Sequence, residues 1–145
     1  MSDQSALVRL LAERSAKLGQ FTLASGKQSK YYVDARLTTM SPEGLSLIGP
    51  LALSTLERSG WEIDAIGGLT LGADPISYAI SYASADSRRP LRAFPVRQAA
   101  KSHGTGQIIE GPCKAGERDA VLEVGITPGG SGLPAFEPGV RPNVA

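Results

Sequence analysis

The sequence predicts an α/β fold with a mainly parallel sheet flanked by helices. Short apolar segments of strand character, at 63–68, 91–96 and 120–125, alternate with segments of helical period. A helix-opening pair, Asp74-Pro75, comes a few residues after the first of those strands. A turn of small residues, Thr127-Pro128-Gly129-Gly130-Ser131, stands beyond the last one. Open α/β sheets bind their ligands there, beyond the carboxyl ends of the strands.

Taken in order, Leu7, Leu10, Leu11 and Leu18 follow the polar Ser2-Asp3 at helical spacing, and Gly19 is placed to end that first helix. Residues 21–34 read as two short strands around a Ser25-Gly26-Lys27 turn, with Tyr31-Tyr32-Val33 favouring strand. Ser41-Pro42-Glu43 combines an N-cap hydroxyl, a first-turn proline and an acid at the positive helix end. Leu45, Ile48, Ala52 and Leu56 then make one apolar stripe that stops at Ser59-Gly60. Ile76, Ala79, Ile80 and Ala83 give the helix after Asp74-Pro75 its buried face. Two prolines conflict with this scheme. Pro50 lies inside a helix, at a cost of ~3 kcal/mol, and Pro95 lies in a strand expected to be central, where it forfeits a ladder bond.

Composition narrows the functional classes. The chain has 145 residues, enough for one domain with a real core. Its net charge of +1 argues against a nucleic-acid groove or a membrane surface, so any electrostatic function is local. No apolar run approaches the ~18 residues of a membrane span, and the start is polar. The single cysteine, Cys113, forms no internal disulfide, and the expected compartment is the cytoplasm.

That local charge sits at 94–111, FPVRQAAKSHGTGQIIEG. Arg97, Lys101 and His103 lie within seven residues and run into Gly104-Thr105-Gly106. Three potential cations beside small residues suit a compact polyanion such as pyrophosphate. Arg97 offers a bidentate fork, Lys101 a point charge, and His103 a hydrogen bond that protonation turns into a charge. The competing reading is a set of solvated loop cations and an idle surface histidine. The second chemical segment is VLEVGITPGGS at 121–131, where an apolar strand meets the small-residue turn. Backbone N–H groups of such a turn converge on phosphate, and Thr127 and Ser131 add hydroxyls. A plain connector would look similar. No Gly-Lys-Ser/Thr follows, so this is not a Walker loop.

Four segments in register, FTLASGKQSKYYVDAR (21–36), IGGLTLGADPI (66–76), VRQAAKSHGTGQIIEG (96–111) and TPGGS (127–131), resemble the type I phosphoribosyltransferases, specifically orotate phosphoribosyltransferase. The resemblance implies the type I phosphoribosyltransferase fold, with a small N-terminal hood and the C-terminal part missing. It implies transfer of phosphoribosyl from phosphoribosyl pyrophosphate to orotate with Mg2+, in a homodimer whose basic loop reaches the neighbouring subunit's site. It implies that Arg97, Lys101 and His103 are catalytic. Phosphoribosyl pyrophosphate would be held by these three with Gln98, Glu123, Val124, Gly125, Ile126, Thr127, Pro128, Gly129, Gly130 and Ser131. Orotate would meet Thr127, Tyr32 and Lys27. The 69–73 loop, flanked by Gly67 and Gly68 and containing Gly72, would approach pyrophosphate through its backbone. No protein metal ligand is expected, the ion being bound through the diphosphate.

Departures from the family pattern matter equally. Two adjacent acids usually grip the ribose hydroxyls; Glu123 is the first, but Val124 replaces the second and accepts no hydrogen bond. Gln98 stands where a lysine is common, and Pro128 replaces a threonine, removing an N–H and a hydroxyl. Residues 132–145, with Pro134, Pro138, Gly139 and Pro142, break helix where one should follow. The expected division is an incomplete transferase domain at 1–131 and an irregular Pro/Gly-rich tail at 132–145, from a frameshift, a truncated gene or a diverged copy. Two functions remain open: the transferase, or a non-catalytic phosphoribosyl pyrophosphate or nucleotide binder or inactive fragment. A transferase for another base fits the YYVD and KSHG segments less well.

Overall fold

The computed structural model describes residues 2–23, 25–98 and 108–124. Helix α1 (Asp3–Arg14) is capped by Ser2, whose side chain accepts from the Ser5 N–H. An antiparallel pair follows, β1 (Ala16–Thr22) with β2 (Gln28–Val33), joined through Gly26 at φ 79°. A short helix α2 (Arg36–Thr39) leads into α3 (Pro42–Ser59). The remaining elements are β3 (Ala65–Leu69), α4 (Asp74–Ala83), β4 (Arg92–Val96) and β5 (Asp119–Leu122). Strand order in the second sheet is β4-β3-β5, and both pairings are parallel.

The mainly parallel sheet is therefore present, and the caps of α3 and the start of α4 fall where the sequence places them. The Ser41 hydroxyl accepts from the Gly44 N–H at 3.1 Å, and Gly60 ends α3 at φ 73°, a backbone state that costs glycine little.

Three expectations need correction. The first helix ends at Arg14, and Leu18 and Gly19 belong to β1. Long-range pairing overrides the leucine spacing: Leu18 stands opposite Tyr31, and Leu18 is 91% exposed. The junction is held by Ser15, whose buried hydroxyl lies 2.7 Å from that of Thr38. Pro50 does not break α3, because it and Ser46 lie on the solvent side, where water can take the orphaned carbonyl. Pro95 is not in a central strand among the described residues; β3 is central. The N–H of Arg92 donates to Asp64 on the β3 side, whereas that of Arg97 donates to Ile108 on the other. Pro95 shares the parity of Arg97, so its missing donor faces 108–110 and no bond to β3 is forfeited.

The sheet has a core on each face. Ile66 and Ile80, each at most 1% exposed, pack with Ile63 and Leu91 beneath α3 and α4. On the other face Ala65, Phe94, Val96 and Cys113 form a second cluster. Burial of these side chains is the main driving force for the layered arrangement. Ser81 and Ser84 tie the end of α4 to the start of β4, bonding the Leu91 carbonyl at 2.7 Å and its N–H at 2.8 Å.

Candidate functional site

Parallel strands put all three of their carboxyl ends on one edge of the sheet, and the residues just past those ends gather there. Thr70 follows β3, Arg97 follows β4, and Glu123 with Val124 follows β5. Glycine sets how closely these parts meet. A Cβ on Gly67 would collide with the Phe94 carbonyl and ring, and one on Gly68 with the Leu122 carbonyl and, at 2.7 Å, the Ala73 Cβ. The glycine pair thus seats Phe94 against β3 and lets the start of α4 close on the strand end. A Cβ on Gly72 would lie 3.6 Å from the Val124 Cβ, which brings the 69–73 loop beside the end of β5. The Thr70–Leu71 peptide is cis. The Thr70 hydroxyl donates weakly to Asp74 Oδ1 at 3.4 Å, at the amino end of α4.

Residues 108–110 run antiparallel beside the end of β4. The Arg97 N–H donates to the Ile108 carbonyl at 2.8 Å, the Glu110 N–H to the Pro95 carbonyl at 3.2 Å, and Val96 bridges Ile109. On this neck the Arg97 Nε donates to Glu110 Oε1 at 2.8 Å. Glu110 was not among the site residues expected from sequence. Its signal was present: opposite charges flanking a glycine-containing stretch, at positions that a hairpin brings together.

Of the other expected residues, Gln98 and Glu123 are exposed and Val124 is half-buried. Tyr32 lies on β2, its ring tilted against Phe21 at 5.6 Å, and Lys27 in the hairpin turn, where its carbonyl accepts from the Leu23 N–H. Tyr31 and Tyr32 are 63% and 43% exposed, so they are not strand core. Among the described residues no hydrogen bond links Lys27 or Tyr32 to the strand-end group. Lys101, His103, Gly125, Ile126, Thr127, Pro128, Gly129, Gly130 and Ser131 lie outside the described residues, as does the 132–145 segment.

The amino ends of the same strands carry a separate, structural charge network. The Arg118 N–H donates to Asp64 Oδ2 at 3.1 Å and holds that carboxyl below its ordinary range, helped by the nearby Arg89. Glu117 takes the Lys114 N–H, which lowers its pKa, and pairs with Arg92. These groups stand at the opposite ends of the strands from Glu123 and Arg97. Among the described residues no cluster of His, Cys, Asp or Glu is disposed to hold a metal, and no helix is long and apolar enough to cross a membrane.

A parallel sheet with α3 and α4 packed on one face, whose strand ends carry closely approached glycines and Arg97 at one edge, fits the type I phosphoribosyltransferases. No protein-family model matches the chain. It is 45% identical over 140 residues to the orotate phosphoribosyltransferase of Aquifex aeolicus, covering 94% of this chain and 75% of that one. The Rhodopirellula baltica orotate phosphoribosyltransferase is 40% identical over 139 residues, 93% and 72% of the two chains. Among solved structures, orotate phosphoribosyltransferase of Mycobacterium tuberculosis superposes with a TM-score of 0.70 at 39% identity, covering 84% of this chain and 67% of that one. A Corynebacterium diphtheriae phosphoribosyltransferase gives 0.69 at 36%, over 85% and 66%. The chain belongs to the orotate phosphoribosyltransferase family.

Proposed function

We propose that this chain transfers the phosphoribosyl group of phosphoribosyl pyrophosphate to orotate, giving orotidine 5'-monophosphate and pyrophosphate in pyrimidine biosynthesis. The observation that carries the reading is the convergence of Thr70, Arg97 and Glu123 at the carboxyl ends of three adjacent parallel strands. A Mycobacterium tuberculosis orotate phosphoribosyltransferase, 35% identical with a TM-score of 0.64, has been solved with phosphoribosyl pyrophosphate bound, which supports the choice of donor.

The orotate ring nitrogen forms a bond to the ribose anomeric carbon as the bond from that carbon to pyrophosphate breaks; the electron pair leaves with the diphosphate, which also takes up the proton that the nitrogen loses. Negative charge grows on the leaving diphosphate while the sugar becomes oxocarbenium-like. Arg97 and Lys101 stabilise the diphosphate charge, and His103 adds a hydrogen bond. Glu123 accepts from a ribose hydroxyl, and the backbone N–H groups of 125–127 and 129–131 hold the 5'-phosphate. Tyr32 and Lys27 take the orotate side, as does Thr127. Mg2+ would be held mainly by the diphosphate's own oxygens, the hard donors it prefers, and not by a dedicated set of protein ligands. There it would supply charge neutralisation beside Arg97 and Lys101. A cytoplasmic homodimer completes the proposal.

Val124 favours a second reading, a binder without turnover, because one of the two ribose anchors lacks an acceptor. Purified protein mixed with orotate, phosphoribosyl pyrophosphate and Mg2+ should lose orotate absorbance. No turnover with phosphoribosyl pyrophosphate binding retained by calorimetry selects the binder; loss of both rejects the site.

A further inference from the structure

Arg97 enters the neck of the 97–110 segment already committed at one edge of its guanidinium. Its Nε donates to Glu110 Oε1 at 2.8 Å, and among the described residues neither Nη atom has a hydrogen-bond partner. The carboxylate is not a chance neighbour. Backbone bonds on both sides of the pair, Arg97 to Ile108 and Glu110 to Pro95, hold the two residues side by side on adjacent antiparallel segments. Both side chains are over a third exposed, 39% and 36%, so the ion pair adds little to stability. Its effect is geometric. An arginine side chain carries several rotatable bonds, and fixing Nε removes most of that freedom. What remains presented is the parallel Nη1/Nη2 fork, the edge that matches two oxygens of a phosphate.

We infer that Glu110 is a positioning residue, which fixes Arg97 through Nε so that its Nη1/Nη2 edge meets the diphosphate. The inference rests on the reading of Arg97 as a diphosphate contact. Glu110 touches no substrate itself. A carboxylate beside the cation also weakens its pull on anions at long range, so two opposing effects are in play. Positioning dominates, because the alternative is an arginine that must be ordered anew at each binding event.

A double-mutant cycle on the full chain tests this, with phosphoribosyl pyrophosphate and Mg2+ as the calorimetric probe. Arg97→Ala and Glu110→Ala should each weaken binding about tenfold, and the double variant no more than either alone. Glu110→Gln keeps an amide oxygen to accept from Nε without the charge, and should recover affinity to within about threefold of wild type. The Arg97 Nε–H signal in nitrogen-edited NMR should be protected in wild type and Glu110→Gln and lost in Glu110→Ala. Wild-type affinity in Glu110→Ala, tighter binding there, or additive losses in the double variant would overturn the assignment. If the wild type binds no phosphoribosyl pyrophosphate, the functional reading fails instead. The Nε–H signal then decides the positioning: protection that Glu110→Ala abolishes upholds it, and protection unchanged in that variant ends it.

Discussion

Gly72 and Val124 stand side by side at the open edge of the sheet, close enough that a Cβ on the glycine would touch the valine at 3.6 Å. The 69–73 loop and the end of β5 are thereby neighbours, and on the proposed reading the valine presents hydrocarbon where a carboxylate would accept a ribose hydroxyl. Val124→Asp should tighten phosphoribosyl pyrophosphate binding by roughly five- to tenfold, the yield of one added charge-assisted hydrogen bond. Calorimetry on the folded variant checks it, and unchanged affinity discards the missing anchor as an explanation.

Backbone packing around the glycine pair is tight. Alanine at Gly67 meets the Phe94 carbonyl and ring, and alanine at Gly68 meets the Leu122 carbonyl. Both obstacles are backbone or a buried ring, which yield poorly. Each substitution should cost about 2–3 kcal/mol, read as a lowered urea midpoint. An unchanged midpoint would mean that the strands separate without penalty.

Acid should loosen the contact between α1 and α3. Arg14 donates to both oxygens of Glu43, at 3.0 and 3.2 Å, and this pairing pulls the Glu43 carboxyl down to about 2 from an ordinary 4.5. A carboxylate with a depressed folded-state pKa contributes stability in full above the unfolded value. That contribution fades as pH falls from 4.5 through about 2. Thermal melts of Glu43→Gln should therefore be less dependent on pH than wild type across that window, with the two chains converging at its lower end. The pair is exposed, so the effect is small and salt-sensitive.

Cys113 should be slow to react in the folded protein. It is 8% exposed in the Phe94 cluster, and burial, with the Asp119 and Glu117 carboxylates nearby, pushes its pKa up to about 11. Since the thiolate is the nucleophile, alkylation at pH 8 should run at least ~100-fold slower in buffer than in urea. Equal rates in the two solvents would place the thiol at the surface.

Much of the architecture was legible because its signals are local. Ser41-Pro42 and Gly60 bound α3 through a hydroxyl, a fixed φ and an achiral residue, none of which needs a distant partner. Asp74-Pro75 likewise marked the start of α4 through a first-turn proline and acid. The errors fell where a distant partner decides. Leu18 has the spacing of a helix face, yet it pairs with Tyr31 of β2 instead of extending α1. α2 is only four residues long, too short to show a period. Pro95 looked destructive because sequence does not say which side of a strand each N–H faces.

The site divides in the same way. Sequence alone determined the kinds of group available, the basic Arg97, Lys101 and His103, the acid Glu123, the glycine turns, and with them the family. Those are properties of side chains and short spacings. Only the tertiary structure decided that Arg97 and Glu123 follow the strands on either side of β3 at one edge of the sheet, that Gly72 lies beside Val124, and that Glu110 holds Arg97. Each of these joins residues far apart in the chain, through strand order and register that emerge when the two faces of the sheet are buried.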